Sequence, residues 1–229
     1  MQNIDKKIDP ISILEEAEQN HKEGNFNIAL TQYIYFFEKA VDINNEYIGA
    51  KLVRCLSAWY DLSKVYTPAY EKLLEKKYFL YTKLKDNPNK SDYLDFVKIC
   101  NHLGLIEDPI KLFKYFHKKD NSFCKEIFNE IMQYLFEAKE FTLCEIYIDS
   151  PKTLYQEQLL LLDNLLYTDK QYYENEFSIT YKENFLRNTE YLLNTLKVGN
   201  HVKEIKNIIC MLENDMRRRN IKINIDDKD

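Results

Sequence analysis

Apolar residues recur at three- and four-residue steps along almost the whole chain, the period of helices buried on one side. Ile13, Leu14, Ala17 and His21 share one face of a first helix. Ser12 with Glu15 has capping-box spacing, and Gly24 closes the run. A second helix, to about 43, carries Ala29, Leu30, Tyr33, Phe36, Phe37, Ala40 and Val41. A third covers about 46–65, with Ile48, Leu52, Cys55, Leu56, Trp59 and Leu62 as its stripe. Thr67-Pro68 starts a fourth, since proline suits a first helical turn. That turn brings Tyr70 and Leu73 against the Trp59 stripe, so Trp59 is expected to be buried between the third and fourth helices.

The polar stretch 86–90, DNPNK, is the clearest punctuation and a candidate sub-boundary. Helices follow over about 91–103, 108–118, 122–138, 141–148, 153–167, 177–197 and 202–219. The segment 169–176 reads as loop or helix start. The last residues, 221–229, read as a disordered tail or weak strand. The pattern therefore predicts an all-α chain of about ten helices, with 1–220 as a single domain.

Composition agrees with that class. The chain has 229 residues, 45% hydrophobic and 30% charged, enough apolar surface for a core. Only 4 Gly and 5 Pro are present, too few for the turns of a sandwich or barrel. A net charge of −5 disfavours nucleic acid as a partner. No run of about 18 apolar residues occurs, so no membrane span is expected. The start, MQNIDKKIDPISILEEAEQ, shows no leader-like apolar stretch. Five widely spaced cysteines without a CxxC pair suggest free thiols in a reducing cytoplasm.

Short turns between helices invite a search for repeats. Gly24-Asn25-Phe26-Asn27-Ile28-Ala29 reads as small, polar, aromatic, two variable, small. Lys139-Glu140-Phe141-Thr142-Leu143-Cys144 repeats it, and Gly104-Leu105-Ile106-Glu107-Asp108-Pro109 is a third copy. The motif resembles the inter-helix turn of a tetratricopeptide repeat (TPR), with GNFNIALTQYIYFFEKAVDINN similar to its second helix and exit. It departs by one helical turn between Ala29 and Ala40, and Asn44-Asn45 stand where the family has proline. Phe36-Phe37, Ile48-Gly49, Leu56-Ser57-Ala58-Trp59-Tyr60-Asp61-Leu62 and Tyr66-Thr67-Pro68-Ala69 resemble the pattern of a bacterial TPR-like group. FEAKEFTLCEIYIDSP fits the same group. The resemblance implies a right-handed array of antiparallel helix hairpins, a TPR-like α-solenoid, and no particular chemistry.

Candidate chemistry is sparse. His21, His102, His117 and His201 stand apart near helix ends, without HExxH or HxH spacing, so no metal is expected. Cys100 and His102 are close in the chain but point to different sides of a helix. Arg217-Arg218-Arg219 and His117-Lys118-Lys119 suit helix C-termini. Tyr33, Tyr35, Phe36 and Phe37 almost encircle the second helix, which therefore either buries several sides or offers a surface. Phe36 and Phe37 read as core. Tyr33, Tyr35, Trp59 and Tyr60 are the candidate partner-binding residues, with Trp59 as groove the alternative to Trp59 as core.

These features predict a non-enzymatic scaffold for a protein or peptide partner. They require no cofactor, nucleic acid or membrane, and they leave a homodimer open. An immunity or antitoxin protein that blocks a basic toxin enzyme is the alternative. An enzyme with an unrecognised site is the third.

Overall fold

The computed structural model describes residues 9–174, 176–219 and 221. These residues are all-helical, with eleven α-helices and no strand. The helices are α1 (Pro10–Lys22), α2 (Phe26–Ile43), α3 (Leu56–Ser63), α4 (Thr67–Asp86), α5 (Lys90–His102) and α6 (Glu107–His117). Then come α7 (Asn121–Glu137), α8 (Phe141–Tyr147), α9 (Pro151–Tyr172), α10 (Ser178–Val198) and α11 (Val202–Arg218).

Two helices differ in their bounds from the sequence reading. Asp9, not Ser12, caps α1: its carboxylate accepts from Ile11 N–H at 3.1 Å, and Pro10 takes the first helical position. In α9 the Ser150 hydroxyl accepts from Thr153 N–H at 3.3 Å, and the helix runs on to Tyr172. The expected helix over 46–65 is also not uniform. Ala50–Cys55 winds as a π-helix and leads directly into α3. The expected tail at 222–229 lies outside the described residues.

One turn recurs four times. At Gly24, Gly104, Lys139 and Asn200 the backbone is left-handed, with φ of 81°, 70°, 57° and 58°. In each case the next residue donates its N–H to the carbonyl five positions back. Asn25 reaches Asn20, Leu105 reaches Cys100, Glu140 reaches Leu135 and His201 reaches Leu196, at 2.8 to 3.0 Å. This bond satisfies a helix-end carbonyl and reverses the chain. The three copies of the sequence motif thus share one backbone, and Gly199-Asn200-His201 is a fourth that the motif did not reveal.

The left-handed region strains any residue with a Cβ, by roughly 1–2 kcal/mol. Lys139→Gly is therefore expected to stabilise by up to about 1 kcal/mol, after the entropy glycine adds to the unfolded chain. Gly24→Ala meets no atom within 4 Å, so only backbone strain acts there. It is expected to cost about 1 kcal/mol. Urea midpoints of the two variants should move in opposite directions.

The chain divides into two compact units, Met1–Ile127 and Phe128–Asp229. The 86–90 segment lies inside the first unit, and Asn89 there caps α5 by accepting from Asp92 N–H at 2.9 Å. The division falls within α7.

In the first unit, Leu14, Ala17, Ala29, Tyr33, Phe36, Phe37, Trp59, Leu62, Leu73 and Leu80 form much of the core. Ion pairs link the segment between Ala50 and Asp86 to the helices on either side of it. Arg54, in the π turn before α3, forks onto Glu18 of α1 with two contacts of 2.7 Å. Lys51, in the same turn, meets Asp95 of α5 at 2.6 Å. Lys76 of α4 meets Glu38 of α2 at 2.9 Å, and Lys77 of α4 meets Asp108 of α6 at 2.6 Å. Lys83 of α4 also meets Asp92 of α5 at 2.7 Å, and in each of these pairs the middle hairpin supplies the cation and a neighbour the acid.

In the second unit, Tyr155 and Leu162 of α9 pack with Phe185, Leu192 and Leu196 of α10 and Ile208, Leu212 and Met216 of α11. Arg219 closes this cluster by forking onto Asp163 at 2.6 and 2.8 Å.

Candidate functional site

The first unit contains an open cleft of about 520 Å³ where α1, α2 and α3 meet. Glu18, His21 and Lys22 line it from α1, Tyr33 from α2, and Ala58 and Asp61 from α3. The spacing explains the set. Glu18 and His21 are three apart, as are Ala58 and Asp61, so each pair shares a helix face. Ala58 leaves room that a larger side chain would fill.

Tyr33 forms the floor. Its ring is fully buried, yet its hydroxyl reaches the His21 Nδ1 at 3.4 Å. Burial, reinforced by the Glu18 and Asp61 carboxylates, raises its pKa well above the ordinary phenol range. The hydroxyl therefore stays protonated and offers a neutral hydrogen-bonding group. The ring of His21 stands edge-on between Phe26 and Tyr33, with centroids 6.0 and 6.3 Å away. Glu18 is held by Arg54, and Asp61 accepts from Lys64 at 2.7 Å. Charges of both signs thus surround an apolar and phenolic floor.

The four sequence candidates separate. Tyr33 is core, with its hydroxyl beside His21 under the cleft. Tyr60 is half-buried beside the cleft, its ring tilted against His102 at 5.3 Å with Lys64 4.6 Å from its centre. Burial lowers the pKa of His102, which stays neutral at pH 7. Tyr35 is 45% exposed on the outer side of α2, away from the cleft lining. Trp59 is 1% exposed, and its indole N–H donates to the Ala69 carbonyl at 3.1 Å. Trp59 is therefore core, as the stripe predicts, and it also borders the second depression described below. Ala69 and Leu73 are buried, whereas Tyr70 is 40% exposed, one residue out of phase with the buried stripe of α4. Phe36 and Phe37 are core as expected.

A second depression, of about 420 Å³, lies between α2 and α4, with Ile34, Lys76 and Phe79 on its walls and one edge of Trp59 at its base. Periodicity alone could not single out Glu18, His21, Lys22, Ala58 or Asp61. Their common signal was only a polar face on two helices.

The cysteine chemistry left open by the sequence is narrowed. Cys55, Cys100, Cys124 and Cys144 are buried thiols. Burial pushes Cys100 and Cys144 up to about 12 and Cys55 higher still, so these three are not thiolates near neutral pH. Cys100 and His102 do not converge: the thiol is core, and the imidazole lies on Tyr60. Among the described residues, no three His, Cys, Asp or Glu side chains gather as a metal site. No described helix is long and apolar enough to cross a membrane.

No family model, curated protein or solved structure matches the chain.

Proposed function

We propose that the protein is a non-enzymatic, TPR-like scaffold, a right-handed array of helix hairpins whose α1–α2–α3 cleft receives a segment of a protein partner. One observation carries this reading. The cleft sets charges of both signs around the Tyr33 hydroxyl and Ala58, on helices already fixed to one another by the Glu18–Arg54 fork. A surface held rigid before binding loses less entropy on association. The four repeated turns support the hairpin-array part of the reading.

Site-specific photo-crosslinking in the native host tests it. A crosslinking amino acid at Lys22 and another at Asp61 are expected to trap the same protein. The same group at the exposed Glu71 on α4 should not trap it. Equal adducts from all three positions, or none from the cleft, would sink the proposal.

A further inference from the structure

Residues three apart on an α-helix share a face. Lys51 and Arg54 are three apart but serve different neighbours, α5 and α1. The wider π turn that holds both separates them. Its residues, Ala50 to Cys55, include neither Gly nor Pro and have ordinary α-helix propensity. Something outside the turn must therefore hold it, because a π turn is an α-helix with an extra residue accommodated.

The Lys51–Asp95 pair lies at that position. The two side chains are 8% and 7% exposed. Asp95 Oδ1 is buried and has no hydrogen-bond partner among the described residues, which leave only one carboxylate oxygen satisfied. Such a half-satisfied buried acid is costly. Lys51 faces it from the π turn, Lys76 from α4 and Asp92 from its own helix. Burial raises the Asp95 pKa above the usual carboxyl range, against the pull of Lys51. The Lys51 ammonium also lies 4.6 Å from the centre of the Phe37 ring of α2. The same turn leads to the cleft by two routes. Arg54 holds Glu18, and the Cys55 thiol donates to the Tyr33 carbonyl at 3.4 Å.

We propose that the buried Lys51–Asp95 pair is a latch on the π turn, and that neutralising Asp95 lets the turn rewind as α-helix and reshapes the cleft. Losing the extra residue rotates one side of the turn against the other by about 100°. Lys51 and Arg54 then fall on one face and cannot serve both neighbours. The α3–α5 joint is thereby coupled to a cleft wall on the far side of α3. This coupling is independent of whether the cleft binds a partner.

Nuclear magnetic resonance of the full chain tests it, with the Ala58 methyl and the Tyr33 ring as cleft reporters. Asp95→Asn keeps the shape of the side chain and removes its charge. Its amides over 50–60 are expected to exchange at least about tenfold faster, and both reporters should move. The double variant Lys51→Met with Asp95→Leu replaces the pair by apolar groups and decides the matter if Asp95→Asn does not fold. It should show α-helical carbon shifts over 50–55 and the same displacement of Ala58. Acidification of the wild type should move Ala58 the same way before the exposed carboxylates titrate. Asp108→Asn breaks the neighbouring Lys77 pair and is expected to leave Ala58 in place. An unmoved Ala58 in the double variant overturns the latch. So does an equal movement in Asp108→Asn, which would mean general loosening.

Discussion

Lys51→Met is expected to destabilise the first unit by about 3–5 kcal/mol, because it leaves the buried Asp95 carboxylate without its cation. The double change Lys51→Met with Asp95→Leu is expected to be neutral, or to stabilise by about 1–4 kcal/mol, since a buried ion pair rarely recovers its desolvation cost. The contrast follows from geometry: both side chains are under one-tenth exposed, and Asp95 Oδ1 has no partner among the described residues. The pH dependence has a definite sign. The Asp95 pKa is raised in the folded chain, so the folded state binds that proton more tightly than the unfolded state. Its contribution therefore favours folding below the unfolded value and is lost as pH rises through the folded value. The Lys51→Met penalty should be largest at neutral pH and shrink on acidification. Urea titrations at two pH values, followed by tryptophan emission, read this directly. A penalty that does not change with pH would refute the assignment to Asp95.

Trp59→Ala should cost a similar amount, about 3–5 kcal/mol, the range for a large aromatic removed from a core. Trp59 stands edge-on to Phe37 at 5.9 Å and donates to the Ala69 carbonyl, so its removal opens a cavity and leaves that carbonyl without its donor. Trp59→Phe fills part of the cavity but supplies no donor, and it should fall between wild type and Ala. Because Trp59 is the only tryptophan, wild-type emission gives an independent check. It should be blue-shifted and protected from acrylamide. A water-like emission that acrylamide quenches freely would contradict the burial.

Much of the helical frame could be read from the chain because burial on one side imposes a period. The stripes through Ala29, Tyr33, Phe36 and Ala40, and through Cys55, Trp59 and Leu62, are buried where spacing puts them. The π turn could not be read in this way. A lysine among apolar residues reads as the solvent side, yet Lys51 is 7% exposed because a partner distant in sequence supplies the opposite charge. The repeated turn was half legible. Gly24 and Gly104 announce a left-handed backbone, whereas Lys139 and Asn200 adopt it under tertiary constraint. The cleft was the least legible feature. Glu18, Lys22 and Asp61 are ordinary helix-surface residues until packing brings α1 and α3 together over Tyr33. Aromatic abundance pointed instead to Tyr35 and Trp59, one on the outer side of α2 and the other in the core.

The placement of charge in the first unit also limits how hairpins can assemble. A stack of helix pairs has open ends, and head-to-tail addition of further copies is the route to filaments. Here Glu18 and Glu38 of the first hairpin face Arg54 and Lys76, and Asp95 and Asp108 of the third face Lys51 and Lys77. A first hairpin set against another first hairpin brings carboxylate to carboxylate in both helix rows. A second against a second brings cation to cation. Only unlike charges match, so in this unit the cationic middle hairpin fits between two acidic neighbours, and like-charged faces of two chains are kept apart.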